Sequence, residues 1–220
     1  MGRASANAFG IDDRLATQRL ISVPVSRLPY LRHEQLDEKG KAVWAQLTSS
    51  RGPGVVSDDG SLRGPFNAWV TAPETGGLVA NLGRHLRFDT SIERRLLELA
   101  IATVGARWKA EFEWWAHSRM AREHGISDVV LDALARGTTP SFEAQDEEVV
   151  YRVASQLARD GQIEPDTYRA AQDLLGDQRM VDLVALCGYY TLVSFTLNAF
   201  AVPLPPGAEP VWDPDPAAPH

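Results

Sequence analysis

Residues 96–117 read Leu96-Leu-Glu-Leu-Ala-Ile-Ala-Thr-Val-Gly-Ala-Arg-Trp-Lys-Ala-Glu-Phe-Glu-Trp-Trp-Ala-His117, an apolar, helix-forming run that ionisable side chains interrupt. Gly105 predicts the end of one helix and a tight link to the next. On the second helix Glu113 and His117 are four residues apart, so they share a face. An antiparallel pair of helices would also bring Glu98 within reach of them. The stretch therefore predicts a helical hairpin with two acids and one imidazole on its inner side.

These three side chains suit proton transfer because burial among Leu, Ile and Trp shifts the pKa values of acids and imidazoles toward neutrality. A carboxylate beside an imidazole can also orient the ring, select its tautomer and raise its basicity. If Glu98, Glu113 and His117 are close together, their titrations are coupled, so one carboxyl group can stay protonated while another acts as a base. They are the candidate catalytic residues.

A simpler interpretation stays open for the same residues. Arg94 and Arg95 precede Glu98 by four and three positions, so Glu98 could belong to an ordinary surface ion pair, and Glu113 with His117 could be a solvated helical pair. A metal site is disfavoured, because Glu-x-x-x-His is neither the Glu-x-x-His of di-iron bundles nor the His-Glu-x-x-His of zinc proteases. We therefore predict no metal.

The rest of the chain predicts an all-α protein. Pro24 and Pro29 break the first residues, which read as an extended arm over 1–33, followed by a helical domain over 34–205 and a tail over 206–220. The segment 49–65 is rich in Gly, Pro, Ser and Asp and predicts a loop. Individual helices are expected as follows: 34–46, 91–105 with a Thr90/Glu93 capping box, 108–124, one capped by Ser127 and ending at Arg136, one opened by the acids of 143–148, and one begun by Pro165 with a stop at Gly176.

Composition excludes several partners. The net charge is −7 and no predicted helix carries a basic block, so nucleic acid is not expected. The uncharged run 183–204 approaches the length of a membrane span but contains polar residues, and we expect a buried helix. The chain contains a single cysteine, Cys187, and no apolar signal near its N-terminus. These features favour a cytoplasmic protein that neither enters a membrane nor is exported.

Several separated motifs resemble one known superfamily. Glu98, Ala110, Glu113 and His117 follow the register E-x11-C-x2-C-x3-H of alkyl hydroperoxidase D (AhpD), with Ala110 and Glu113 at the two cysteine positions. Residues 94–101 with 111–117 resemble the cysteine-free branch, the carboxymuconolactone decarboxylases, and 186–193 with 197–200 resemble its C-terminal helix. The resemblance covers about residues 60–205.

The resemblance implies an AhpD-like helical bundle that assembles as a homo-oligomer, a trimer or a hexamer. It implies no thiol peroxidase reaction, because both sulfur positions are lost. Decarboxylation in this branch needs no metal or organic cofactor, because the substrate carbonyl accepts the electrons that carbon dioxide leaves behind. We then expect His117 to donate and accept the proton, Glu113 to orient it and Glu98 to act as a second acid or base.

Four further residues are candidates for substrate binding. Phe66, Trp69 and Trp114 could line an aromatic cavity, and Arg107 could bind an anionic group, although each also has an ordinary structural interpretation. The expected protein is thus a cofactor-independent lyase or isomerase, acting by proton transfer on a small cyclic, lactone or enol/keto-acid substrate. Two alternatives remain: a non-catalytic oligomeric binding or scaffold protein of the same fold, and a residual peroxidase that uses Cys187.

Overall fold

The computed structural model describes residues 26–212, and this part of the chain is all-α, as predicted. Its β-structure is limited to two isolated bridges, Arg32 with Ser61 and Val56 with Leu62. The helices are Glu38–Arg51 (α1), Phe66–Thr71 (α2), Pro73–Phe88 (α3), Arg94–Arg107 (α4), Glu111–Glu123 (α5), Asp128–Ala135 (α6), Gln145–Asp160 (α7) and Pro165–Ala199 (α8).

Helix α4 is the centre of the fold. Every residue from Leu96 to Gly105 is buried, because α5, α7 and α8 all pack against this helix. A helix that is apolar on all sides can bury all of its surface only in such a central position. Glu98 is the charged exception within this stretch, and its side chain is therefore carried into the interior of the protein.

The hairpin between α4 and α5 forms as predicted, but the link lies later in the chain. Helix α4 continues through Gly105 to Arg107, and the turn is made by residues 108–110, with Lys109 at a positive φ of 48°. Gly105 lies inside α4, and a Cβ atom there would lie 3.5 Å from the Glu113 side chain, which is an ordinary contact. The first turn of α5 therefore packs against α4 at this position, but the packing does not require a glycine.

Two predicted helix starts differ from the structure. Thr90 does not cap α4, because α4 begins at Arg94 with Glu93 at its N-cap, and the Thr90 hydroxyl instead donates to the Leu86 carbonyl of α3. The first predicted helix is divided into a 3₁₀ turn over 33–35 and α1, which Asp37 caps by accepting from the Gly40 amide at 2.8 Å. The predicted Ser127 cap of α6 is confirmed.

Helix α8 changes direction at Gly176, which has φ 72° and ψ 170°. The predicted stop is therefore a kink, after which the helix resumes and runs to Ala199. Among the described helices, α8 is the one whose length and composition would allow it to cross a bilayer, yet half of its most apolar window is buried inside the fold. It packs on α4 and α7, as a central helix of a helical bundle does.

Both ends of the described chain pack on the helices. The Arg27 amide donates to the Phe200 carbonyl at 2.9 Å, and Trp212 donates through its indole to the Ala135 carbonyl at 2.9 Å. Residues 1–25 of the predicted arm and 213–220 of the predicted tail lie outside the described residues.

The acids that open α7 have a structural partner, because Asp146 and Glu147 both pair with Arg95 of α4.

Candidate active site

A cavity of about 400 Å³ lies between α1, α2, α3, α5 and α8. This volume is in the range of sites for small molecules. Aromatic side chains form much of its wall, including the predicted Phe66 and Trp69, whose rings contact edge to face at 5.2 Å. The other side chains of the wall include aromatic, polar and charged groups: Phe88, Phe112, Trp115, Tyr189, Tyr190, Ser50, Arg51, Arg63, Arg87, Glu113 and His117.

His117 and Glu98 form the innermost contact of the site. The Nδ1 atom of His117 lies 2.5 Å from Oε2 of Glu98, and both side chains are buried. A carboxylate accepts hydrogen bonds, so Nδ1 carries the proton in this contact. In the neutral imidazole the other nitrogen, Nε2, then has a free lone pair. The contact with Glu98 therefore selects the tautomer in which Nε2 is the basic atom.

Nε2 of His117 lies between a cation and an anion. Nη1 of Arg87 is 3.1 Å away, and Oε1 of Glu113 is 3.0 Å away. Apart from this contact, the buried Oε1 atom has no hydrogen-bond partner among the described residues. A neutral His117 can accept from Arg87 through Nε2, whereas a protonated His117 presents an N–H to Glu113. The two charged neighbours thus accommodate both protonation states of one nitrogen.

Glu98 is held as a carboxylate. Burial by itself raises its pKa, but the hydrogen bond from His117 and the positive charges of His117, Arg87 and Arg94 outweigh burial and lower it. Nη2 of Arg94 lies 2.6 Å from Oε1 of Glu98 and Nη2 of Arg87 lies 3.8 Å from it. The ion pair between Arg94 and Glu98 that the sequence suggested therefore exists. It is not a surface pair, because the Glu98 side chain is fully buried.

The pKa of His117 is raised. Burial alone lowers it, but the negative charge of Glu113 and the contacts with both carboxylates exceed the opposing effects of burial and Arg87. The Tyr190 ring packs edge to face on the imidazole at 5.1 Å. Burial raises the pKa of the Tyr190 phenol, so it stays protonated and can act only as a neutral hydrogen-bonding group near neutral pH.

Two predicted substrate-binding residues lie away from this cavity. Arg107 is exposed and stacks over Trp108, with its guanidinium carbon 5.4 Å from the ring centroid. Trp114 is buried on the other side of α5, where it packs on Trp212 at 5.6 Å. Helix geometry explains the second result, since Trp114 lies one position after Glu113 and points in a different direction.

Three residues of the cavity wall were not predicted from the sequence: Arg87, Arg51 and Tyr189. Arg87 lies on α3 in an ordinary amphipathic stretch, and no motif distinguishes it from the neighbouring Arg84. Tyr189 and Tyr190 are adjacent in the stretch that resembles the family's C-terminal helix. Two phenols within an uncharged helix were the one feature that could have indicated their place in the site.

Cys187 lies outside the site. It is buried in the apolar core, and burial raises the pKa of its thiol to about 12. A thiol of this kind is almost entirely protonated at neutral pH and is a poor nucleophile. Among the described residues no cluster of three or more His, Cys, Asp or Glu side chains has the arrangement of a metal site.

Comparison with known proteins identifies the fold. No protein-family model and no curated protein matches the chain. Among solved structures, the AhpD core of an uncharacterized peroxidase-related protein from Ralstonia eutropha JMP134 matches with a TM-score of 0.65 and 13% identity, over 83% of this chain and 94% of that one. A protein of unknown function from Agrobacterium tumefaciens, named for the antioxidant defence protein AhpD, matches with a TM-score of 0.54 and 16% identity, over 65% of this chain and 99% of that one. The chain therefore has the all-helical fold of the AhpD-like proteins.

Proposed function

We propose that the cavity is the active site of a cofactor-independent lyase or isomerase of the carboxymuconolactone decarboxylase type. One observation carries the proposal: the buried His117 donates from Nδ1 to Glu98 at 2.5 Å and exposes Nε2 to a cavity beside Glu113 and Arg87. Such an imidazole is oriented for proton transfer at a single atom. The substrate is a small cyclic molecule, a lactone or an enol/keto acid.

The geometry modifies the roles expected from the sequence. Glu98 is the orienting partner, because it occupies Nδ1, and Glu113 lies on the side of Nε2 that faces the cavity. The Glu113 carboxylate would stabilise the imidazolium when Nε2 has taken a proton. Arg87, 3.1 Å from Nε2, would place a positive charge beside an oxygen that becomes negative during the reaction.

In isomerisation, Nε2 removes a proton from carbon next to a carbonyl, the electron pair moves into the enolate, and the same proton returns to a different carbon. In decarboxylation, the carbon–carbon bond to the carboxylate breaks and carbon dioxide leaves. The electron pair of that bond stays with the substrate and forms an enolate. The protonated Nε2 then donates its proton to carbon. Both reactions balance without an external oxidant. They differ in whether His117 begins the cycle neutral or charged.

Proton transfer is testable before the natural substrate is identified. A panel of lactones and keto acids is incubated with the protein in D₂O, and deuterium uptake at carbon and release of carbon dioxide are followed by NMR. At least one compound should react, and Glu113→Gln and His117→Gln should each slow the reaction by roughly 10²–10⁴-fold. Glu123→Gln and His124→Gln are matched controls, because both residues are exposed on or directly after α5.

Full turnover in both site variants would contradict the mechanism. Failure of every compound to react, with no difference between wild type and variants, would favour the non-catalytic scaffold. The peroxidase alternative predicts hydroperoxide consumption that Cys187→Ala abolishes. The burial of Cys187 and the raised pKa of its thiol argue for no such activity.

We further propose that the protein works in a reducing cytoplasm, which its single cysteine favours, and that it forms a homo-oligomer, as the family resemblance implies. Helix α8 supports this with a row of exposed apolar side chains at helical spacing, comprising Val181, Val184, Leu192 and Phe195. Apolar side chains aligned on one face are typical of a surface that another protein covers.

A further inference from the structure

Arg51, the last residue of α1, lies on the wall of the cavity and is half-buried. It forms no ion pair with any described residue. Its Nη1 atom donates to the hydroxyl of Ser50 at 3.0 Å, and its guanidinium carbon lies 5.1 Å from the centroid of the Phe66 ring. A partly desolvated guanidinium without an anion is costly unless a ligand supplies one.

The other cations of the cavity already have anionic partners. Arg87 faces Glu98 at 3.8 Å, and Arg63 faces Asp58 at 3.5 Å. Burial, the largest influence on the pKa of Arg51, lowers it, and the nearby charge of Arg87 acts in the same direction. Arg51 therefore supplies a positive charge to the cavity that no described side chain neutralises.

Two tyrosine rings separate Arg51 from His117. Arg51 interacts with the phenol of Tyr189, the rings of Tyr189 and Tyr190 are 5.2 Å apart, and Tyr190 contacts the imidazole at 5.1 Å. A group bound by Arg51 would therefore lie against Tyr189, whereas the imidazole lies against Tyr190. A ligand that reaches both must have an anionic end, a body that crosses the tyrosine and phenylalanine rings, and a second end at His117.

We infer that Arg51 binds a carboxylate that anchors the substrate and takes no part in the reaction, while a flat apolar body lies along Phe66 and the opposite end of the molecule faces His117. The substrate class is then an organic acid whose carboxylate survives the reaction. If the reaction is decarboxylation, the substrate carries a second carboxyl group. A single carboxylate matches the planar fork of one guanidinium and its single positive charge.

The inference deepens the proposed function and rests on it only for the chemistry at the His117 end. Binding of the anchor is measurable without turnover. We suggest isothermal titration or ligand-observed NMR with 3-phenylpropanoate and its neutral analogue 3-phenylpropanamide as probes. The wild-type protein should bind the acid at least about tenfold more tightly than the amide, because a charge-assisted hydrogen bond is lost in the amide.

Arg51→Gln should remove this preference, and Arg51→Lys should keep part of it. Arg84→Gln is the matched control, since Arg84 is exposed, paired with Asp89 and absent from the cavity wall. His117→Gln should retain the preference while losing proton transfer, so failure of the anchor and failure of the reaction are distinguishable. The comparison of acid and amide in the wild-type protein needs no variant and therefore does not depend on how a variant folds.

Equal binding of acid and amide by the wild-type protein, including no binding of either, would overturn the inference. So would an acid preference that survives in folded Arg51→Gln and disappears in His117→Gln, because the imidazole would then be the anion-binding group. A circular dichroism spectrum and melting curve of Arg51→Gln that match those of Arg84→Gln would show that its loss of preference is local.

Discussion

Glu98 and His117 lie 19 residues apart on adjacent helices, and their side chains are joined at 2.5 Å in the interior of the protein. The contact fixes both the tautomer of His117 and the closeness of α4 and α5. Because Glu98 is also held by Arg94 and Arg87, its position does not depend on the histidine alone. The pair is therefore structural support for a reactive atom on its far side, Nε2.

The first prediction concerns the titration of His117. Its pKa should lie above the ordinary value of 6.5, and the charge of Glu113 is the largest contribution that raises it. Glu113→Gln should lower the pKa toward 6.5, and Glu98→Gln should lower it as well. NMR titration of the imidazole signals measures this shift. Glu123→Gln is the control, and an unchanged pKa in Glu113→Gln would contradict the assigned contact.

The second prediction concerns stability against pH. The raised pKa of His117 stabilises the folded state fully below about pH 6.5, and this contribution is lost as the pH rises through the folded-state pKa. The lowered pKa of Glu98 stabilises the folded state above about pH 4.5, and this contribution is lost as the pH falls through its folded-state pKa. Their joint contribution is largest between these values.

Urea unfolding of the wild type and of a Glu98→Gln/His117→Gln double variant over pH 3–9 measures this effect. The difference in unfolding free energy should peak at about pH 5.5 and decrease on both sides. The double variant removes both members of the pair, which avoids leaving one buried charge unpaired. A difference that does not vary with pH would show that the two groups are not coupled to folding.

The third prediction compares two adjacent glycines of α3. A Cβ atom on Gly76 would lie 2.0 Å from the Trp69 carbonyl oxygen, whereas one on Gly77 would lie 3.5 Å from Val43, an ordinary contact. Gly76→Ala should destabilise the protein by about 1–3 kcal/mol or more, because backbone must move. Gly77→Ala should stabilise it by about 0.5–1 kcal/mol, because alanine is the better helix former.

Urea unfolding of both variants tests this pair, and equal effects would contradict the close approach of α2 to α3. The result also bears on the cavity. Trp69 is part of its wall, so Gly76→Ala should weaken binding of 3-phenylpropanoate, while Gly77→Ala should not.

The fourth prediction concerns assembly. Sedimentation velocity at micromolar concentration should show a species larger than the 24.1 kDa chain, because α8 exposes an apolar row that includes Val181 and Leu192. Val181→Glu combined with Leu192→Glu should dissociate it, since burying two carboxylates in an interface is costly. Val129→Glu, an exposed apolar position on α6, is the control. A monomeric wild type would refute the expected trimer or hexamer.

The helices were largely predictable because local signals determine them. Ser127 caps α6, Pro165 begins α8, and the uninterrupted apolar run of α4 predicts a buried helix. Helix boundaries were less predictable. The predicted Thr90 cap of α4 was wrong, because the Thr90 hydroxyl donates to the Leu86 carbonyl at the end of α3 instead. A short polar side chain between two helices can form a hydrogen bond with the backbone of the preceding helix or of the following one, and the sequence does not show which of the two forms.

The candidate site could be predicted only in part. Glu113 and His117 are neighbours by helical spacing, and a hairpin places Glu98 beside them, so local geometry sufficed for these three residues. Arg87 and Arg51 come from α3 and α1, and no sequence spacing relates them to α5. Arg107 and Trp114 were expected in the site from their residue types, but the turn and the helix face direct them elsewhere.

By itself, the sequence determined that the chain is helical, that one hairpin carries two carboxylates and an imidazole, and that its single thiol stands outside that motif. The tertiary structure decided the charges that surround the imidazole. Helix packing, driven by burial of apolar surface across distant segments, brings Arg87 to Nε2 and leaves Arg51 on the cavity wall without an ion-pair partner among the described residues. Local propensity carries no information about such contacts, because they depend on how whole helices meet.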